Sequence, residues 1–159
     1  MKWIVFACLG VGLASALVGG VFQAFSDFVM RGLILAEPAG GIESMQQLNR
    51  TVFRSAFLTM FLALVPITIG LSVYAGLRLD GATRTLIIAG SVVYLLTVFV
   101  TTVVGNVPMN ERLDAMVHTS AEAATYWVTY GRVWTLWNHV RTLGSIAAAV
   151  LFLLAAVYD

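Results

Sequence analysis

Six residues between Tyr126 and Arg141 have the types and spacing to do chemistry together. Tyr126, Tyr130, Trp134, Trp137, Asn138 and Arg141 recur at i, i+4, i+8, i+11, i+12 and i+15, which an α-helix gathers onto one broad face. Indole and phenol rings supply flat stacking surfaces with a polar rim, and Asn and Arg supply donors for an oxygen that carries negative charge. Such a face suits a flat apolar molecule with an anionic or polar oxygen. The same face continues through Gly144, Ser145, Ala148 and Ala155, small residues that let a neighbouring helix come close, so it should look into a bundle. Ile146, Val150, Leu153 and Val157 lie opposite and suit lipid tails. An interfacial aromatic belt with one snorkelling arginine would also account for the tryptophans; an inward Asn138 and Arg141 favour a site.

Other groups compete for a chemical role. His139 is the residue type most used for acid–base chemistry at physiological pH, but it projects about 140° from Trp134, in line with Arg132 and the bulky stripe, which suits the headgroup region better than catalysis. Gln23, Asp27 and Arg31 share one face, so Asp27 either pairs with Arg31 or is an intramembrane functional acid. It is also the acidic residue expected to compensate Arg141. Asn49 shares an inward face with Met45, Phe53, Ala56 and Met60, away from Glu43, Gln47, Arg50 and Arg54. A haem held by two histidines would require His118 and His139 to converge, because the chain has no others. Met109 and Met116 with those histidines would suit copper in ligand softness, but no tight spacing supports it. The single Cys8 provides neither a disulfide nor a thiolate cage, and no phosphate-binding glycine loop is present. No metal is expected.

The elements that must position these groups follow from composition. The 159 residues are 60% hydrophobic and 11% charged, with a mean hydropathy of +0.91, against about 25% charged residues in an ordinary soluble domain. Four apolar runs can each cross a hydrocarbon core of about 30 Å. The fold class expected is all-α: one integral membrane four-helix bundle over residues 1–159, multi-pass, in the inner or plasma membrane if the source is bacterial, its polar connections forming a pocket at one membrane face. A net charge of +1 provides no basic surface for nucleic acid. The bilayer and an apolar small molecule are the expected partners, and a homo-oligomer is compatible.

Lys2 and Ala14-Ser15-Ala16 resemble a cleaved signal, but the apolar run continues through Val29, which predicts a span. Ala36 to Gly41 should break the chain, with a second helix from about Ile42 to Leu77, kinked at Pro66. Arg78 to Arg84 reads as a tight turn. Thr85 to Val104 should be mainly scaffold, stopped by Gly105 and Pro108. A Thr119/Glu122 capping box predicts a last helix from Ser120 to Tyr158, about 58 Å long, which must project from the membrane or break near Gly131. Four spans put both termini and the tight turn on one side. Asn49, Asn106, Asn110, Trp134, Trp137, Asn138 and Arg141 then share the opposite mouth; the charge distribution does not decide its orientation.

FSDFVMRGL at Phe25–Leu33, GIESMQQLNRTVF at Gly41–Phe53, GNVPMNERLD at Gly105–Asp114 and WTLWNHVRT at Trp134–Thr142 together resemble the anthrone oxygenase family over essentially the whole chain. The resemblance implies four spans and oxidation of polyketide anthrones to anthraquinones by O2 as co-substrate, without metal or flavin. It also implies roles: Trp134 and Trp137, with Tyr130, stack the substrate rings; Asn138, Asn110 and Arg141 donate to enolate and peroxide oxygens; Asn49 and Asn106 complete the mouth. For the base it leaves His139, Asp27 or a substrate that ionises without one. A membrane module that binds a quinone, lipid or partner helix without turnover would need the same pocket and no base.

Overall fold

The computed structural model describes residues 2–158, and the described residues contain no strand. Met1, Asp159 and the side chain of Lys2, which enter the signal-like pattern and the charge count, lie outside the described residues. Among the described residues, four helices are long and apolar enough to cross a membrane: Trp3–Leu35, Ala56–Arg78, Gly81–Asp114 and Ala121–Val157. The protein is an all-α, multi-pass integral membrane protein. Large apolar side chains such as Phe6, Leu17, Val73, Leu77 and Val157 remain exposed on the outside of the bundle, as a lipid solvent allows.

The first and last spans form the centre of the bundle, because small residues let them approach. A methyl added at Gly19 would lie 3.1 Å from the Ser145 Cβ, and one at Gly12 would lie 2.8 Å from Leu153. On the other flank, a methyl at Gly144 would come within 1.8 Å of the Thr97 hydroxyl of the third span. Gly144, Ser145, Ala148 and Ala155 are all buried, so this stripe faces inward as its spacing predicts.

Several boundaries differ from the sequence expectation. The break after the first span is only Ala36-Glu37, because Pro38 sits in the first turn of a helix, Pro38–Thr51, where its missing amide leaves nothing unpaired. Gly41 is therefore helical, and it is needed for contact: a Cβ there would lie 2.3 Å from the Leu33 carbonyl oxygen. The second helix is not continuous. A short 3₁₀ turn, Val52–Arg54, leads to Ser55 in an extended conformation (φ −96°, ψ 146°), whose hydroxyl caps the second span through Leu58 N–H at 3.1 Å. The tight turn is as expected, with Gly81 at φ +66°.

Gly105 and Pro108 do not stop the third span, which runs on to Asp114. Two π-helical stretches, Tyr94–Val100 and Thr102–Asn106, precede the proline and loosen the hydrogen-bond register, so the missing Pro108 amide is absorbed without a break. Ser120, one residue past the predicted Thr119, caps the last helix by accepting from Ala123 N–H at 3.1 Å. That helix passes Gly131 unbroken for 37 residues, about 55 Å.

The excess length has a partner. The helix Pro38–Thr51, the end of the third span and the start of the fourth enclose a second core of Met30, Ile42, Met45, Leu113, Ala123, Tyr126, Trp127, Tyr130 and Trp134, separate from the core between the spans. Gln46 fastens this cap by donating to the carbonyls of Leu113 and Met116, each at 2.8 Å, and Arg50 pairs with Asp114 at 2.8 Å on its surface.

The topology predicts that cysteines placed at Gly40 and Glu111, both exposed, label from one side of the membrane and one at Asp80 labels from the other. Opposite-side labelling of Gly40→Cys and Glu111→Cys would contradict the cap.

Candidate functional site

The site lies where the two cores meet, and it is a ladder between the third and fourth spans. Tyr130 Oη donates to Asn110 Oδ1 at 2.7 Å, and Trp134 Nε1 donates to the same oxygen at 2.8 Å. One turn deeper, Asn106 Nδ2 donates to the Trp134 carbonyl at 3.1 Å. The Trp137 ring then lies on Gly105, where a Cβ would be 2.7 Å from the indole. Below it Arg141 donates to the Thr102 hydroxyl at 3.4 Å, and Thr97 meets Gly144 beneath.

Among the described residues Arg141 is the one buried charged side chain. Its side chain is 6% exposed and lies among described residues whose acidic side chains all remain at least partly exposed. Asp27 is exposed and forms no ion pair with it, so the expected compensation by Asp27 does not exist; the acid sits on the outer side of the first span. Neutral groups surround the guanidinium instead. Asn138 Oδ1 accepts a short hydrogen bond from it, while Asn138 Nδ2 donates to the Phe22 carbonyl and to Ser26 Oγ, each at 2.6 Å. The cation lies 4.2 Å from the Phe22 ring centre and 5.3 Å from that of Trp134. Arg141 Nε is buried with no hydrogen-bond partner among the described residues, and so is the Asn106 side-chain oxygen two rungs above it.

All three π-helical stretches of the described chain pack against this part of the last helix. One of them, Phe25–Val29, contains Ser26 and follows Phe22, and another contains Thr102, Gly105 and Asn106. The wider turns displace the backbone from the ordinary register, which fits their frequent use at functional sites.

An aromatic stack extends outward. Trp127 and Tyr130 are 5.4 Å apart at 17°, Tyr130 and Trp134 are 6.1 Å apart at 21°, and Tyr126 meets the Tyr130 ring edge-on. Asn49 lies beside Tyr130, its Nδ2 buried and without a well-formed hydrogen bond.

The structure thus brings together Tyr130, Trp134, Asn138, Arg141, Asn49, Asn106 and Asn110. It separates three others. Trp137 is 39% exposed at the lipid-facing edge and is not inside with Trp134, because its angle on the helix carries it over Gly105. His139 is exposed on the outer face, so it does not approach Arg141 as a base, and Asp27 is exposed likewise. A haem between His118 and His139 has no geometry: His118 precedes the last helix, and His139 lies about 27 Å along it from Ala121. Two open depressions, of about 800 and 430 Å³, are lined around Arg84 and Arg112 respectively, and neither borders Arg141. Sequence reasoning missed Thr102, Phe22, Ser26 and Trp127. Trp127 had a signal, its i+3 and i+7 spacing to Tyr130 and Trp134; Phe22 and Ser26 act through a carbonyl and a hydroxyl that no pattern singles out.

This arrangement defines a four-span membrane protein with a buried cation held by neutral and aromatic groups. A family model, anthrone oxygenase, matches residues 49–151. The chain belongs to the anthrone oxygenase family. The matched stretch holds every rung of the ladder, from Thr97 to Gly144, and Asn49 beside Tyr130. No curated protein and no solved structure matches the chain.

A buried cation without a counter-charge lowers stability, and apolar replacement of buried charges is often neutral or stabilising by about 1–4 kcal/mol. Arg141→Met, melted without ligand in detergent, should therefore be at least as stable as the parent. Marked destabilisation would make the guanidinium a structural strut.

Proposed function

We propose that the protein catalyses cofactor-independent oxidation of an anthrone-type polycyclic aromatic to its quinone by O2. The observation that carries this reading is Arg141, a desolvated guanidinium with a free N–H, set against aromatic faces and without an acidic partner among the described residues. Such a group stabilises negative charge on a planar ligand far better than water-exposed arginine would. Family membership supports the same substrate class.

The reaction needs little from the protein beyond binding and charge. Loss of a proton from the methylene carbon to water gives an enolate whose negative charge rests on the ring oxygen, beside Arg141 and the Thr102 hydroxyl. The enolate passes one electron to O2, and the resulting pair joins to form a carbon–oxygen bond and a peroxide. The peroxide takes up a proton; the carbon then loses its second hydrogen as a proton while the O–O bond breaks, giving the ketone and hydroxide. Hydroxide takes up a proton, so one anthrone and one O2 yield one quinone and one water. Asn106, through its free carbonyl oxygen, accepts from a substrate hydroxyl, and Trp134 stacks against the rings.

With His139 and Asp27 on the outside, the substrate ionises without a protein base, because binding beside Arg141 favours its anion. Turnover should then rise with pH along the ionisation of the bound substrate. Electron-withdrawing ring substituents should shift that profile to lower pH, while His139→Gln and Asp27→Asn leave it in place. Oxygen uptake should match quinone one to one in the presence of chelator. Arg141→Lys, which loses the planar fork, should reduce turnover on the order of 10²-fold. Ligand binding without turnover above the spontaneous rate would instead favour a non-catalytic module for a quinone, lipid or partner helix. Loss of activity on His139→Gln with Arg141→Lys unaffected would move the chemistry elsewhere.

A further inference from the structure

The Trp137–Gly105 rung carries a further consequence. Gly105 lies in the π-helical stretch Thr102–Asn106, and its missing side chain leaves a flat shelf that the Trp137 indole occupies: a methyl there would stand 2.7, 2.8 and 3.1 Å from three indole atoms. The indole is 39% exposed, so it covers the shelf from the lipid side without being locked in the core. The rungs on either side hold buried polar atoms without partners, the Asn106 carbonyl oxygen towards the mouth and Arg141 Nε towards the membrane centre. Both atoms are closed off by the surrounding side chains. A ligand therefore has to displace something, and Trp137 is the large side chain on this rung that is not buried.

We propose that the Gly105 shelf is a ring-binding subsite for a planar aromatic arriving laterally from the bilayer, and that the Trp137 indole holds the place until the ligand takes it. The inference rests on the reading of Arg141 as an anion site. One aromatic plane replaces another on the same glycine, so the exchange needs no new cavity. Gly105 is three residues from Thr102, about 4.5 Å along the helix, and Trp137 is four from Arg141, about 6 Å. A fused ring system lying on the shelf spans that interval with its ring oxygen, reaching Arg141 and Thr102. The residue that selects flat ligands is then Gly105, and Trp137 governs entry.

The test is binding of a hydroxylated anthraquinone, followed by its own absorbance, to protein in lipid nanodiscs. Trp137→Ala should bind at least as tightly as the parent and several-fold faster, because the shelf is already empty. Gly105→Ala/Trp137→Ala fills the shelf with a methyl where the indole has been removed, so it retains room to fold. It should bind at least ten-fold more weakly than Trp137→Ala while melting at a similar temperature. A bulky, non-planar phenol of similar hydrophobicity should be indifferent to both changes. Arg141→Gln serves as the reference. If the dye binds, Arg141→Gln abolishes binding and the Gly105 and Trp137 variants leave it unchanged, the shelf is discarded and the anion site stands. If the dye fails to bind the parent, or binds independently of Arg141, both are overturned.

Discussion

Much of this structure follows from holding one guanidinium away from water. Removing a cation from water carries an effective penalty of several kcal/mol even after relaxation. Among the described residues no carboxylate returns it. Asn138 takes one N–H, two aromatic faces lie near the cation at 4.2 and 5.3 Å, and Thr102 offers a long hydrogen bond. Cation–π contacts contribute about 2 kcal/mol when desolvated, which offsets part of the penalty and leaves the charge available. An acid in place of these groups would quench it.

Asn138 is the link between that charge and the fold. Its oxygen serves Arg141, and its amide nitrogen holds the Phe22 carbonyl and Ser26 of the first span, so the guanidinium is oriented by a helix more than a hundred residues away in sequence. The π-helical turns on the first and third spans bring backbone and side chains to it at angles that a regular helix does not provide. Gly144 lets Thr97 close beneath it, and the cap anchored by Gln46 covers it from the aqueous side.

Spans, turn and inward stripe were legible because they rest on length and period. The Tyr130, Trp134, Asn138 and Arg141 face was legible for the same reason, and Asn106 and Asn110 through topology. Trp137 was misplaced because i+11 falls at the edge of a helical face, where the neighbouring Gly105, rather than the helix itself, decides direction. The sequence pairs Asp27 with Arg141 only on the premise that a buried cation must have an acid, and here Asn138 and two aromatic faces take that place. Pattern cannot reveal π-turns: at Gly105 and Pro108 the composition of a helix end is the same as that of a helix whose register has loosened. The carbonyl of Phe22 is invisible for a related reason, since every residue has one.

The central claim is that Arg141 is kept without a counter-charge so that the ligand can supply it. Its most direct measurement is the absorbance of a bound anthrone, recorded without oxygen while pH is varied. If the account holds, the enolate spectrum of the bound form appears at least one pH unit below that of the free compound in the same lipid, and Arg141→Gln abolishes the shift. A bound anthrone that ionises at the same pH as the free compound, or whose shift survives Arg141→Gln, would contradict it.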